Sequence, residues 1–219
     1  MMTIHDFPRG PYPARVRIAV AELGLRHDVR FVEVDLRNGE HKTAAFREKN
    51  FSGTVPVLEL EDGTFIAECT AITEYLDHLG PAPRLTGATA RDRGLIHMMS
   101  RRAEIECLDA ISVYFHHATS GLGPGVETYQ NREWGLHMRD KALRGARYFD
   151  DLLKTRPYVA GDTFSMADIT LVAAFVFAGI VGLDIPPELE RLHAWHARML
   201  DRPGVRGWRT MSDPVAGTA

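Results

Sequence analysis

Cysteine is scarce in this sequence, and its arrangement argues against several classes of protein. The chain of 219 residues has two cysteines, Cys69 and Cys107, which do not form a CxxC motif. A disulfide framework and a cysteine zinc site therefore have no support. No histidine pair stands with acidic residues at the spacing of metal ligands, so we predict no metal. Free thiols fit a reducing compartment, and we expect a cytoplasmic protein.

Strong charge and a membrane-length apolar run are also absent. The formal net charge of −3 gives no electrostatic reason to expect nucleic acid or an anionic membrane as a partner. The longest apolar run, ITLVAAFVFAGIVGL at 169–183, is shorter than the roughly 20 residues that a bilayer requires. We predict a buried helix there and no membrane span. The N-terminus shows no secretory signal.

The chain does contain an alternation of β and α patterns, followed by helical patterns alone. Residues 1–80 predict the order βαβαββα, with the last two strands forming an antiparallel hairpin beside a parallel pair. Residues 81–88, rich in proline and glycine, predict a linker. Residues 89–219 predict an all-α domain with helices near 90–117, 131–154, 166–179 and 187–200.

The predicted buried helix has a clear start signal. In FSMADI, Ser165 stands at the N-cap and Asp168 at the third helical position, a variant of the capping box. This signal is structural, and we assign it no chemistry.

Polar groups lie between a strand and a helix in GTVPVLELEDGTFIAECT, residues 53–70. If the Val55–Pro56 bond is cis, the backbone of Val55 is open to an extended peptide ligand; otherwise Pro56 only begins a strand. Glu68 and the helix N-terminus after it suit the ammonium and carboxylate groups of an α-amino acid. The alternative is that Glu68 and Thr70 only cap the helix.

The motifs TVPVLEL, AECTAITEYL and FSMADIT, in this order, resemble those of the cytosolic glutathione transferases. The resemblance covers essentially the whole chain. GPYPARVRIA, GEHK and FHHAT before GLGP resemble most a fungal and bacterial subclass of that family. The resemblance implies a glutathione transferase fold, with an α/β thioredoxin-like N-terminal domain followed by an all-α C-terminal domain.

The resemblance also implies a glutathione site on the first domain. Val55 would pair with the cysteinyl backbone, Glu68 and Cys69 would hold the γ-glutamyl end, and the GEHK motif would meet the glycyl carboxylate. The implied binding residues are His41, Lys42, Thr54, Val55, Pro56, Glu68 and Cys69. Cys69 stands where most members have serine. Because a thiol is a weak donor, backbone N–H groups would carry more of the binding, and a redox role for Cys69 is the alternative.

A glutathione transferase must stabilise the glutathione thiolate, since a free thiol has a pKa of about 8.5. Many classes use a Tyr, Ser or Cys after the first strand, where this chain reads FPRGPYPAR and has only the hydroxyl of Tyr12. In the subclass it resembles, a water takes that role, and Ser112 and His116 would hold it. The spacing puts these two on one predicted helix face with Met98, Arg102, Ile105 and Asp109. Tyr12 stays the alternative, as does a purely structural pair of His116 and His117 at a helix C-terminus.

The implied function is conjugation of glutathione, as co-substrate, to a small hydrophobic electrophile bound at the helical domain. The resemblance also implies a homodimer. Two alternatives remain. One is a non-catalytic glutathione-binding or interaction module of the same fold, because the N-terminal serine is missing. The other is a glutathione-dependent isomerase or peroxidase that uses the same first-domain site.

Overall fold

The computed structural model describes residues 1–208, which divide into two compact units. The first consists of Met1–Pro81 together with the segment that begins at Pro203, and the second is Ala82–Arg202. The sequence instead predicts that everything from residue 89 to 219 belongs to the helical domain. Residues 209–219 of that predicted domain lie outside the described residues.

The first unit is built on a four-stranded mixed sheet with the strand order β2-β1-β3-β4. The strands are β1 (Met2–Asp6), β2 (Val29–Glu33), β3 (Val57–Glu59) and β4 (Phe65–Ala67). β1 and β2 are parallel, while β3 is antiparallel to both β1 and β4. The predicted hairpin beside a parallel pair is confirmed.

The helices of the first unit follow the predicted order. They are α1 (Pro11–Leu23), α2 (Ala44–Lys49) and α3 (Cys69–Asp77). Proline in the first turn of α1 sets the helical φ, and Gly24 ends the helix in a left-handed conformation at φ 76°. The apolar faces of α1 and α3 share one core with the strands, formed by Ile4, Val16, Val20, Leu58, Ile72 and Leu76. Each such side chain contributes about 1.5–3 kcal/mol when fully buried.

The second unit is helical. It contains α4 (Ala90–Ala103), α5 (Asp109–Ala118), α6 (Arg132–Leu152), α7 (Met166–Ile180) and α8 (Glu190–Leu200). A further short helix, α9 (Pro203–Gly207), belongs to the first unit and packs on α1. The approach is close, because a Cβ on Gly204 would lie 2.6 Å from Glu22 Oε1. No sequence pattern within α9 predicts its contact with α1.

The predicted helix over 90–117 is confirmed, since residues 90–118 are helical throughout, but it is not a regular α-helix along its whole length. Glu104–Leu108 forms a π-helical turn between α4 and α5. The extra residue of a π turn rotates the next helical segment by about 100°, so the face of α4 with Met98 and Arg102 does not continue into α5. The backbone of α6 comes close at this turn, where a Cβ on Gly145 would lie 2.6 Å from the carbonyl oxygen of Glu106. Asp109, Ser112 and His116 still share a face, since all three lie on α5 itself.

The buried helix and its capping box are confirmed. Residues 166–178 of α7 are buried, the Ser165 side chain accepts from Ala167 N–H, and Asp168 accepts from Ser165 N–H at 3.1 Å. Asp168 also accepts from Val159 N–H at 2.9 Å and from Trp195 Nε1–H at 3.1 Å. Its complete burial raises its pKa to about 6. Over residues 1–208, every helix is too short or too polar to cross a membrane.

Candidate functional site

The polar segment before β3 exposes a peptide group. The Val55–Pro56 bond is cis, as the sequence argument required for an open peptide edge. Within residues 1–208, no hydrogen bond reaches the backbone N–H or C=O of Val55. These two groups are therefore available to an extended ligand.

A network of hydrogen bonds holds the loop in front of this peptide group. Asn50 Nδ2 donates to the carbonyl oxygen of Thr54 at 2.9 Å and to its Oγ1 at 3.0 Å. Lys42 Nζ donates to the carbonyl oxygen of Gly53 at 3.1 Å. Gly53 has φ 59°, and a Cβ there would lie 2.6 Å from the carbonyl oxygen of His41. Only glycine fits at this close approach.

His41 and Lys42 of the GEHK motif lie in a 3-10 turn, Glu40–Lys42, beside this loop. His41 is buried, whereas Lys42 is exposed. Their contact with a glycyl carboxylate stays a prediction. Lys42 contacts this loop through its hydrogen bond to the carbonyl oxygen of Gly53.

Glu68 lies at the same end of the β3–β4 hairpin as Val55, because Val57 pairs with Ala67. It is the residue before α3, with φ 68° and ψ 122°, and among residues 1–208 it alone combines a side chain with positive φ. Its side chain is exposed and makes no cap hydrogen bond. The capping alternative is therefore wrong for Glu68, and its carboxylate is open to a ligand.

The Cys69 thiol faces the protein. Its side chain is 6% exposed, and Sγ donates to the carbonyl oxygen of Tyr12 at 3.3 Å. This leaves the backbone at the start of α3 as the group of Cys69 that a ligand carboxylate would meet. The ring of Tyr12 packs against the core of the first unit.

Arg15 is a residue that the sequence patterns did not single out. It lies on α1, is buried, and donates from Nη2 to Thr70 Oγ1 at 3.3 Å. A buried guanidinium beside the N-terminus of α3 adds positive charge where the carboxylate of a ligand would bind. The available signal was an arginine within the otherwise apolar stretch ARVRIAVAEL.

The second candidate group lies on α5. Ser112 and His116 are one turn apart and half-buried, and within residues 1–208 no hydrogen bond involves the Ser112 hydroxyl. His116 Nδ1 lies 2.7 Å from Glu127 Oε1. The neighbouring His117 differs, because its Nδ1 accepts from Asn131 N–H at 3.0 Å and so anchors the chain before α6. No group of three or more potential metal ligands lies together within residues 1–208.

Comparison with known proteins follows the same division of the chain. The glutathione S-transferase N-terminal domain family matches residues 9–79, and the glutathione S-transferase C-terminal domain family matches residues 105–203. Both candidate groups fall inside these matches.

Individual relatives agree with the family matches. Glutathione S-transferase 2 of Saccharomyces cerevisiae is 63% identical over 205 residues, which cover 94% of this chain and 88% of that protein. The crystal structure of Gtt2 from Saccharomyces cerevisiae superimposes with a TM-score of 0.93 at 62% identity, covering 94% of this chain and 99% of that one. Maleylacetoacetate isomerase of Pseudomonas aeruginosa is 28% identical, over 87% of this chain and 89% of that protein. The chain therefore belongs to the glutathione S-transferase family and is a transferase with both of that family's domains.

Proposed function

We propose that the protein transfers the thiolate of glutathione to a small hydrophobic electrophile. The observation that carries this proposal is the open peptide group of Val55 beside the exposed Glu68 and the N-terminus of α3. The cysteinyl backbone of glutathione pairs with Val55, its γ-glutamyl carboxylate binds at the start of α3, and its ammonium group pairs with Glu68. Thr54, Pro56, Cys69, His41 and Lys42 complete the proposed site.

The thiol is activated by a water held between Ser112 and His116. The S–H bond breaks, its proton passes to the water as the water gives a proton to His116, and the electron pair stays on sulfur. The thiolate then forms a C–S bond with the electrophile. In a substitution the bond to the leaving group breaks and that group departs with the electron pair; in an addition a π bond breaks and the atom that receives its electron pair takes up a proton from water. Tyr12 is the weaker candidate for this role, since its ring packs against the core of its own unit.

The test is an ultraviolet difference titration of bound glutathione against pH. In the wild type, thiolate should appear below the free-thiol pKa of about 8.5. Ser112→Ala and His116→Ala should each raise the midpoint. If bound glutathione titrates as it does in water, the protein only binds glutathione and the catalytic assignment is wrong.

The adjacent histidine provides a matched control. His117→Ala removes the same kind of side chain from the same turn of α5. The imidazole it removes is hydrogen-bonded to Asn131 N–H and is not part of the proposed water site. We expect the thiol midpoint of this variant to equal that of the wild type. If the midpoint of His117→Ala rises as much as that of His116→Ala, the proposed assignment of the water to His116 is wrong.

An isomerase is the second candidate, and the relative named maleylacetoacetate isomerase favours it. The two activities differ in stoichiometry. A transferase consumes one glutathione for each product, whereas a glutathione-dependent isomerase returns it. Free thiol measured during turnover of a conjugated dicarboxylate therefore separates them.

We further propose that the protein is a cytoplasmic homodimer. Both cysteines are free thiols, in agreement with a reducing compartment. Support for the dimer is the family resemblance together with Phe51, a phenyl ring of the first unit that is 93% exposed.

A further inference from the structure

The loop between α5 and α6 folds back onto the end of α5. Thr119 Oγ1 donates to the carbonyl oxygen of Phe115 at 2.6 Å, and Gln130 Nε2 donates to that of His116 at 2.7 Å. These bonds attach both ends of the loop to the last turn of α5. The middle of the loop lies next to the His116 imidazole.

Glu127 is the loop residue that meets this imidazole. Its side chain is 10% exposed, and its Oε1 lies 2.7 Å from His116 Nδ1 and accepts from Leu122 N–H at 2.8 Å. Gly121, at φ 56°, leaves the space for the carboxyl group, because a Cβ there would overlap it. Within residues 1–208, no arginine or lysine forms an ion pair with Glu127. Its negative charge therefore acts on His116.

The contact determines which nitrogen of His116 is a base. An ionised carboxylate can only accept, so Nδ1 carries a proton and donates it to Glu127. In the neutral ring Nε2 is then the lone-pair nitrogen. No hydrogen bond reaches Nε2 from residues 1–208, and the side chain of His116 is 38% exposed. The other carboxylate on this face of α5, Asp109, lies two turns away and is paired with Arg101 at 3.9 Å.

We propose that Glu127 is a positioning residue for thiol activation: it orients His116 so that Nε2 faces the water and it balances the charge of the imidazolium. This inference rests on the proposed function of His116. When the water passes a proton to Nε2, the ring becomes a cation and its Nδ1–H bond to Glu127 becomes charge-assisted on both sides. The proton then leaves from Nε2 to solvent, and the carboxylate stays ionised throughout.

A structural role for Glu127 alone makes a different prediction. If Glu127 only holds the loop through Leu122 N–H, a neutral isostere with the same oxygen should replace it. Glu127→Gln keeps an acceptor for Leu122 and removes the charge. Thr119→Val is the matched loop control, because it breaks two loop hydrogen bonds without touching the imidazole.

The experiment is the pH titration of the thiol of bound glutathione in full-length Glu127→Gln, His116→Ala, the double variant and Thr119→Val. We expect Glu127→Gln to raise the midpoint by about one pH unit, a tenfold change in the ionisation equilibrium. Affinity for glutathione at a pH where the thiol is protonated should be unchanged. The double variant should match His116→Ala, because Glu127 acts through His116. Thr119→Val should titrate as the wild type.

The two proposals fail in distinguishable ways. If His116→Ala raises the midpoint and Glu127→Gln does not, the role of Glu127 is overturned while the proposed function stands. The role is also overturned if the two shifts add in the double variant, or if Thr119→Val shifts as much as Glu127→Gln. If His116→Ala leaves the midpoint unchanged, both the proposed water and the role of Glu127 are overturned.

Discussion

At the residue scale, Glu68 has a backbone conformation that disfavours every residue with a side chain. Its φ of 68° lies in the left-handed region, where a non-glycine residue costs about 1–3 kcal/mol. No cap hydrogen bond of its own side chain offsets this cost. This conformation places the exposed Glu68 carboxylate at the same end of the β3–β4 hairpin as Val55.

The strained backbone of Glu68 means that substitutions there should affect glutathione binding and protein stability differently. Glu68→Gln removes the charge and should weaken glutathione binding by about 1.5–3 kcal/mol, the usual value of a charge-assisted hydrogen bond, with unchanged stability. Glu68→Gly should also lose binding but raise the free energy of unfolding by about 1 kcal/mol, since glycine accepts positive φ. Calorimetric titration and denaturant unfolding measure the two quantities. Wild-type affinity in Glu68→Gln would contradict the ammonium contact.

At the element scale, α7 depends on one carboxylate at its start. Asp168 accepts hydrogen bonds from Ser165, Val159 and Trp195, which lie before α7, in the preceding loop and on α8. Burial raises its pKa to about 6, from 3.8 for an ordinary aspartate. The folded state therefore binds a proton more tightly than the unfolded chain does.

The sign of the pH effect follows from this difference. Between about pH 4 and 6 the folded state holds a proton at Asp168 that the unfolded state has lost. The contribution of Asp168 to the unfolding free energy therefore falls as the pH rises through this window, and it is constant above it. The unfolding free energy of the wild type minus that of Asp168→Asn, measured by urea unfolding at several pH values, should show this fall. A rise with pH over the same range would contradict the raised pKa. Asp168→Ala should cost about 3 kcal/mol or more at all pH values, because buried donors lose their acceptor.

At the scale of the whole molecule, Phe51 is the clearest sign of a partner. The ring is 93% exposed, although Asn50 and Ser52 on either side of it are bonded to each other at 2.9 Å. An ordered loop that holds a phenyl ring in solvent exposes apolar area that another surface would bury. A second copy of this chain is the partner that the proposed homodimer supplies.

Phe51→Ser should therefore weaken self-association. We expect the wild type to sediment as a dimer and Phe51→Ser to dissociate at concentrations where the wild type does not. The free energy of dimerisation should weaken by about 2 kcal/mol, the value of burying a phenyl ring. Leu79→Ser is the control, since Leu79 is an exposed apolar residue of the same unit at 47%. A variant that stays dimeric like the wild type would remove Phe51 from the interface. A monomeric wild type would contradict the dimer itself.

Much of the fold was predictable because its signals are local. Period-two patterns predicted the strands, the spacing of apolar residues predicted α1, α3, α6 and α7, and the Ser165–Asp168 capping box predicted where α7 begins. Val55 and Glu68 could be singled out as candidates for the same reason, since a Val-Pro step and a helix N-terminus are visible within a few residues, whereas the cis bond and the exposed carboxylate came from the structure.

The sequence by itself determined the elements of the two domains and their order, because the patterns that predict helices and strands relate residues at most four apart. Only the tertiary structure decided the π turn at residues 104–108, the placement of Arg15 beside Thr70, the direction of the Cys69 thiol toward Tyr12 and the pairing of His116 with Glu127. Three of these are contacts between segments that no local periodicity relates, and at the fourth, the π turn, α6 approaches at Gly145. Burial, partner atoms and charge at such contacts exist only once the segments have packed.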